Sequence, residues 1–378
     1  MNALPVLIAV EVWSIKSNNY KQMKVLQLID SLDPGGAERV AINLANGLTN
    51  KIEVSFLCAT RKEGLLIDSI AKEVNYLFLK KKSIFDIKAI RGLYGYVKQE
   101  NIEIIHAHST SFFLATIIAL LNKKVSLVWH DHYGKSDYLE SRKFRVLRIC
   151  SRYFSHVLSV NKKLEAWAMK NLKAKEVNYL PNFAVSSGAE GITRLNGEND
   201  KRIVCLANYR PQKDHFTLID AIKQVVKAYP DWTLHCVGKD FHDEYSKSVR
   251  AKIEDLGLSD TIFLYDSKSD ISNILSQSNI GVLSSKSEGL PIALLEYGLA
   301  SLPVAVTDVG DCKDVVLNNI CGLVVSKESP KELAKGLLQL INDEKEASTF
   351  GQELKLRVQE KYSETKYIEN LLNLYSSI

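Results

Sequence analysis

Short apolar runs rich in β-branched residues recur along this chain with longer helical patterns between them, and they do so in two successive series. The first series predicts strands at 25–29, 54–58, 76–79, 102–106, 125–129, 157–160 and 177–180. The second restarts at 203–207 and continues at 233–237, 261–264, 280–283 and 304–307. Strands separated by helices cannot pair as hairpins; they need crossover connections, and these build a parallel sheet with helices on both faces. Between the series, residues 180–202 are polar, rich in Gly and Ser and without periodicity, which reads as an interdomain connection. The expected fold is therefore α/β: two Rossmann-like, doubly wound domains facing a cleft, with ligands at the carboxyl ends of the strands.

The boundaries follow from these patterns. Residues 23–183 form the first domain and 184–358 the second, with a nearly all-helical tail from Lys331 and a final helix over 359–378. Residues 1–22 are apolar in part but interrupted by Glu11, and read as an appendage of unassigned role. No stretch is long and apolar enough to suggest a transmembrane helix. A net charge of +5 on 378 residues is too mild to argue for nucleic acid. Six cysteines are scattered without a CxxC pair, as expected of reduced thiols in a cytosolic protein.

Four segments carry chemistry. Pro34-Gly35-Gly36 lies between a strand and a helix, where glycines let backbone amides approach an anion; a plain βα turn explains it equally well. It is not GxGxxG, and Gly134-Lys135-Ser136 lacks the upstream glycine of a P-loop, so neither nucleotide fingerprint is present. Two strands end in paired histidines, His106 with His108 and His130 with His132, and imidazoles at strand ends can meet sugar hydroxyls. The spacing gives no reason to expect the four to converge on a zinc ion, and structural histidines are the competing reading. Arg210 and Lys213 follow the first strand of the second series, as cations suited to a diphosphate, unless they sit on a solvated loop.

The most specific segment is "SEGLPIALLEYGLASLPVAVTDVGD". Glu288 stands in a turn, Pro291 opens a helix at its first position, and the amides of Gly289 and Leu290 are free to bind oxygen. Glu296, among core-like leucines, is expected to reach the same cavity and to accept from neighbouring hydroxyls.

With "GGAER", "IIHAH", "LPNF" and "ANYRPQKDH", this segment resembles the retaining GT-B glycosyltransferases of family 4, in order from Met23 to the C-terminal helices. The resemblance implies a nucleotide-sugar donor bound by the second domain, an acceptor bound by the first, and the last helix packed back on the first. It implies that Glu296 holds the ribose and Glu288 the donor sugar, with Gly289, Leu290 and Pro291 beside them. Arg210 and Lys213 should neutralise the diphosphate, helped by Gly35 and Gly36, and one of His130 and His132 should meet the sugar, with His130 slightly favoured. Asn208 stands where the family commonly has arginine, and Asp311 where it has a second glycine. No D-x-D motif occurs, so the expected chemistry needs no metal and no cofactor: a hexosyltransferase using a UDP-sugar. A nucleotide-sugar epimerase or a non-catalytic nucleotide-binding subunit are the alternatives.

The acceptor is expected to be a saccharide or a polyprenyl-linked saccharide of bacterial surface polysaccharide assembly. Arg142, Arg145, Arg148 and Arg152 should share one face of a helix whose other face carries Phe144, Leu147 and Phe154, and three lysines stand at 80–82. Such a basic amphipathic surface suits peripheral contact with the anionic inner face of the plasma membrane, although a solvated charge run explains it as well.

Overall fold

The computed structural model describes residues 20–185 and 191–378. Residues 1–19 of the expected appendage lie outside this range, as do 186–190 of the expected connection; Tyr20–Gln22 form a single 3₁₀ turn. The first sheet contains β1 (Lys24–Ser31), β2 (Val54–Lys62), β3 (Asn75–Phe78), β4 (Ile104–His108), β5 (Ser126–Asp131), β6 (His156–Ser159) and β7 (Glu176–Tyr179). The second contains β8 (Arg202–Leu206), β9 (Thr233–Val237), β10 (Ile262–Tyr265), β11 (Ile280–Leu283), β12 (Val304–Thr307) and β13 (Leu323–Val325).

Their orders are β3-β2-β1-β4-β5-β6-β7 and β10-β9-β8-β11-β12-β13. Every pair is parallel. Strand order reverses beside β1 and beside β8, so the loops leaving β1, β4, β8 and β11 open where a doubly wound fold makes its crevice. Every residue of β4, β8, β9, β11 and β12 is buried, as expected of strands covered on both faces. Two expectations need correction. β4 begins two residues later than its apolar run suggested, carrying both of its histidines inside the strand, and the short β13 on the sheet edge was not foreseen.

The two halves share one apolar core rather than touching at a polar seam. A single cluster joins Val40 and Leu44 of the helix Gly36–Leu48 to Leu294 and Leu295 of the helix Ile292–Leu299, and both to Tyr367 and Leu371. The helix Glu344–Lys361 packs on Ile292–Leu299 at Gly298, where a side chain would lie 2.6 Å from Val358. The helix Glu364–Tyr375 then returns to the first sheet, with Ile368 against Gly47 and the Tyr375 hydroxyl 2.6 Å from His106.

Leu371 is fully buried in this shared core. Leu371→Ala should cost about 2–5 kcal/mol, read as a fall in the midpoint of denaturant unfolding.

Candidate active site

The carboxyl ends of the two sheets enclose a cavity of about 1450 Å³. Gly35, Gly36 and His132 line it from the first half, and Asn208, Arg210, Lys213, Gly289, Leu290 and Pro291 from the second, with Glu288 and Glu296 among them. Thus the expected site residues reach one cavity, His106, His108 and His130 excepted.

The turn before the helix Ile292–Leu299 is held by its carbonyls. Ser136 donates to the Glu288 carbonyl, the Asp311 amide donates to that of Gly289 at 3.0 Å, and Asn182 donates to that of Leu290 at 2.8 Å. The amides of Gly289 and Leu290 have no acceptor among the described residues, so two N–H donors are left beside a helix N-terminus on the cavity wall. Gly310 makes this possible: its φ is +51°, and a Cβ there would lie 2.3 Å from the Glu288 carbonyl oxygen. Pro291 is the N-cap of the helix, one position earlier than its residue type suggested. Its ψ of 121° is that of extended backbone, because the turn must first run along the cavity.

Cations and carboxylates meet in pairs. The Glu288 carboxylate, 5% exposed, accepts from Lys213 at 2.5 Å and from Ser285 at 2.6 Å. Lys213 ends a short turn before the helix His215–Ala228, which Asp214 caps from a left-handed conformation with φ 52°. Glu296 pairs with Arg39 of the opposite half. Lys239 reaches across to Asp33 at 2.7 Å, while the Asn208 side chain accepts from the Lys239 amide at 2.8 Å. Burial alone would raise the Asp33 pKa, but Lys239 and Lys62 outweigh it and hold the carboxyl below its usual range. Arg210 lies over the Phe241 ring, 4.6 Å from its centroid. Arg39, Asp33 and Lys239 were not singled out from sequence; Arg39 lies one turn inside the quoted "GGAER", but its partner is 257 residues away.

The histidines require the largest correction. Parallel β4 and β5 pair with His108 beside His130, and alternate residues of a strand share a face, so His106, His108, His130 and His132 gather on one side of the sheet. His106, His108 and His130 are fully buried, and the cavity is lined by His132 alone of the four. The preference for His130 over His132 is reversed by this geometry: Trp129 and Asp131 of β5 and His132 beyond its end line the cavity, while His130 does not. Burial lowers the pKa of all four, to about 3 for His106 and His132, so each imidazole is neutral at pH 7. Candidate ligand atoms of His106, His108 and His130 lie within 4.8 Å of one another, contrary to the expectation from spacing. Both His108 nitrogens are already engaged, Nδ1 with His132 and Nε2 with Gln27, so an ion there would displace one of those bonds.

The arginine-rich segment also differs from expectation. Its helix spans only Arg145–Cys150, and Arg142 is not on it. Instead Arg142 grips Asp131 with two hydrogen bonds of 2.6 and 2.8 Å and lies between the rings of Tyr133 and Trp167. Phe154 and Leu147 are buried, whereas Val146 and Ile149 are exposed beside Arg145, Arg148 and Arg152.

Two family models match the chain: Glycosyltransferase Family 4 over residues 34–184 and Glycosyl transferases group 1 over residues 193–357. An uncharacterized glycosyltransferase of Haemophilus influenzae is 23% identical, covering 82% of this chain and 87% of that protein. The Escherichia coli UDP-Gal:alpha-D-GlcNAc-diphosphoundecaprenol alpha-1,3-galactosyltransferase is 22% identical, over 90% of this chain and 93% of its own. Among solved structures, Anabaena HepE in complex with UDP and glucose superposes with a TM-score of 0.79 at 18% identity, covering 94% of this chain and all of that one. The chain belongs to the family 4 glycosyltransferases and has their GT-B fold.

Asp311, at the departure from the family pattern, is buried with one oxygen unpaired among the described residues. Burial, then the neighbouring charge of Asp314, raises its pKa from 3.8 to about 7. The unfolded chain therefore loses this proton first, and stability should fall as pH rises from about 4 to about 7. Asp311→Asn should flatten that part of the profile in denaturant unfolding measured across pH. Gly310→Ala should destabilise the fold by on the order of 2 kcal/mol or more, measured the same way at one pH.

Proposed function

We propose that this family 4 glycosyltransferase moves a hexose-type sugar, with retention of anomeric configuration, from a nucleoside-diphosphate donor to a saccharide or lipid-linked saccharide. Uridine diphosphate is the first donor nucleotide to test. The observation that carries the reading is the turn 288–290: its carbonyls are tied back and its amides line a cavity that also holds Lys213, Arg210 and two carboxylates. Amides at a helix N-terminus and two cations match a diphosphate, whereas carboxylates match the hydroxyls of ribose and sugar. HepE binds UDP and glucose in its crystal, and the Escherichia coli relative is named for a UDP-Gal donor and an undecaprenol-linked acceptor, which supports the same classes here.

In this reading Lys213 and Arg210 stabilise the charge that develops on the departing diphosphate, and no metal ion is needed for it. Glu288 holds the donor sugar, Glu296 the ribose, and Gly35 and Gly36 approach the phosphates from the opposite half. The bond from the anomeric carbon to the diphosphate oxygen breaks with its electron pair on oxygen. The acceptor hydroxyl enters on that same side, and its proton passes to the leaving phosphate. Glu296 is paired with Arg39, so donor binding exchanges one partner for another.

The acceptor end of the reading is a membrane surface. The helix Phe112–Leu121 packs between the helices Ile87–Gln99 and Arg145–Cys150, and this one side of the first domain exposes Phe85, Ile87, Leu121, Val146 and Ile149. Lys82, Lys88, Lys123, Arg145, Arg148 and Arg152 are exposed among them, while Lys81 is buried. Apolar side chains surrounded by cations suit anionic headgroups, which would place the protein on the cytoplasmic face of a membrane where polymer is assembled. No helix among the described residues is long and apolar enough to cross a membrane.

UDP at 100 times its dissociation constant should stabilise the fold by about 2.7 kcal/mol, seen as a thermal shift. Lys213→Ala and Glu288→Ala should lower transfer by roughly 10²–10³-fold while circular dichroism shows a folded protein; undiminished turnover would sink the site. Donor alone should yield no interconverted sugar, which separates transfer from epimerisation. Vesicles rich in phosphatidylglycerol should sediment the protein at low salt and release it at high salt, and absence of binding at low salt would end the membrane proposal.

A further inference from the structure

Behind the cleft wall, five side chains are linked in one line. His132 Nε2 is 3.0 Å from His108 Nδ1, and His108 Nε2 is 2.9 Å from Gln27 Oε1. Gln27 Nε2 donates to the Tyr375 hydroxyl at 3.4 Å, and that hydroxyl is 2.6 Å from His106 Nδ1. Gln27, His106, His108 and Tyr375 are all at most 1% exposed, so water cannot stand in for a missing partner.

The amide oxygen fixes every proton in the line. Oε1 carries no hydrogen, so His108 must donate from Nε2. A neutral imidazole has a single N–H, which leaves His108 Nδ1 as an acceptor. His132 must then donate from Nε2, and its own Nδ1 is bare. On the far side the 2.6 Å separation is that of a hydroxyl donating rather than of a ring N–H donating, so Tyr375 donates a hydrogen bond to His106 and accepts one from Gln27. Each group thus donates one step deeper, away from the cleft. Turning the Gln27 amide over would reverse all of them, because Gln27 is the one member whose two ends differ chemically.

We propose that Gln27, anchored by Tyr375, is a positioning residue that holds His132 in the tautomer with a bare Nδ1, making it an acceptor for a sugar hydroxyl in the cleft. This rests on the reading of His132 as the imidazole that meets the sugar. Neither Gln27 nor Tyr375 lines the cavity, and both act only through His108. The arrangement joins β1 to a helix 348 residues away, so the chemical state of the cleft histidine is set by the return of that helix.

The tautomer can be read directly in the full chain labelled with nitrogen-15 histidine, from two-bond proton–nitrogen spectra. Wild type should show His132 protonated at Nε2 and bare at Nδ1. Gln27→Leu should give mixed tautomers and lower kcat roughly tenfold or more, with donor KM within about twofold of wild type. Tyr375→Phe, close in shape, should give a partial version of the Gln27→Leu spectrum and guards against a fold that does not tolerate leucine. A protonated Nδ1 in wild type, or an unchanged His132 tautomer in Gln27→Leu and Tyr375→Phe, overturns the proposal. Stoichiometric zinc held through His108 would overturn it too. Unchanged turnover in His132→Ala, with the spectra as expected, overturns the role in transfer and leaves the tautomer assignment standing.

Discussion

A parallel strand must end where its neighbour ends, and in this protein all thirteen strands obey that constraint. Each connection has to travel back through a helix before the next strand begins. Everything the chain does not need for that return trip accumulates at the carboxyl edges: the glycine loop after β1, His132 beyond β5, Lys213 after β8 and Glu288 after β11. Setting two such edges against each other and sharing one apolar core between them yields a large cavity lined by both polar and apolar side chains. The groups that line the cavity are thus gathered by topology before they are chosen by residue type.

The same constraint decides what could be read from sequence. Strand positions were legible because a doubly buried strand is a short continuous apolar run, and the loops were legible because glycine, proline and charge interrupt such runs. Glu288 and Glu296 were legible because a carboxylate among core leucines has to answer to something. The histidine cluster was not, since it depends on the register of β4 against β5, and register is a property of two strands. Sequence spacing alone, which takes no account of pairing, therefore argues against convergence. Arg142 was misread for a related reason: periodicity assigned it to an exposed helical face, while Asp131 and two aromatic rings drew it into the interior. Arg39 and Lys239 belong to ion pairs that span the cleft, and no local pattern announces a partner from the other half.

Three of the cations in the cavity are tied to carboxylates, while Arg210 lies over the Phe241 ring. Lys213 with Glu288, Arg39 with Glu296 and Lys239 with Asp33 each join a cation to a carboxylate where an unpaired charge would be costly. Two of these pairs bind the first half to the second. A ligand that brings both anionic phosphates and hydroxyls can replace the partners on both sides at once, one cation and one carboxylate at a time. A simple anion cannot, because it would release a carboxylate into the same dry space.

The placement of Tyr375 against the first sheet also bears on how the molecule comes to exist. The first domain leaves the ribosome early, yet a partner of Gln27 and His106 arrives only with the helix that closes the chain's path back across both domains. Contacts separated by so many residues form late and slowly. The polar line behind the cleft wall is therefore complete only once that helix has docked on the first sheet.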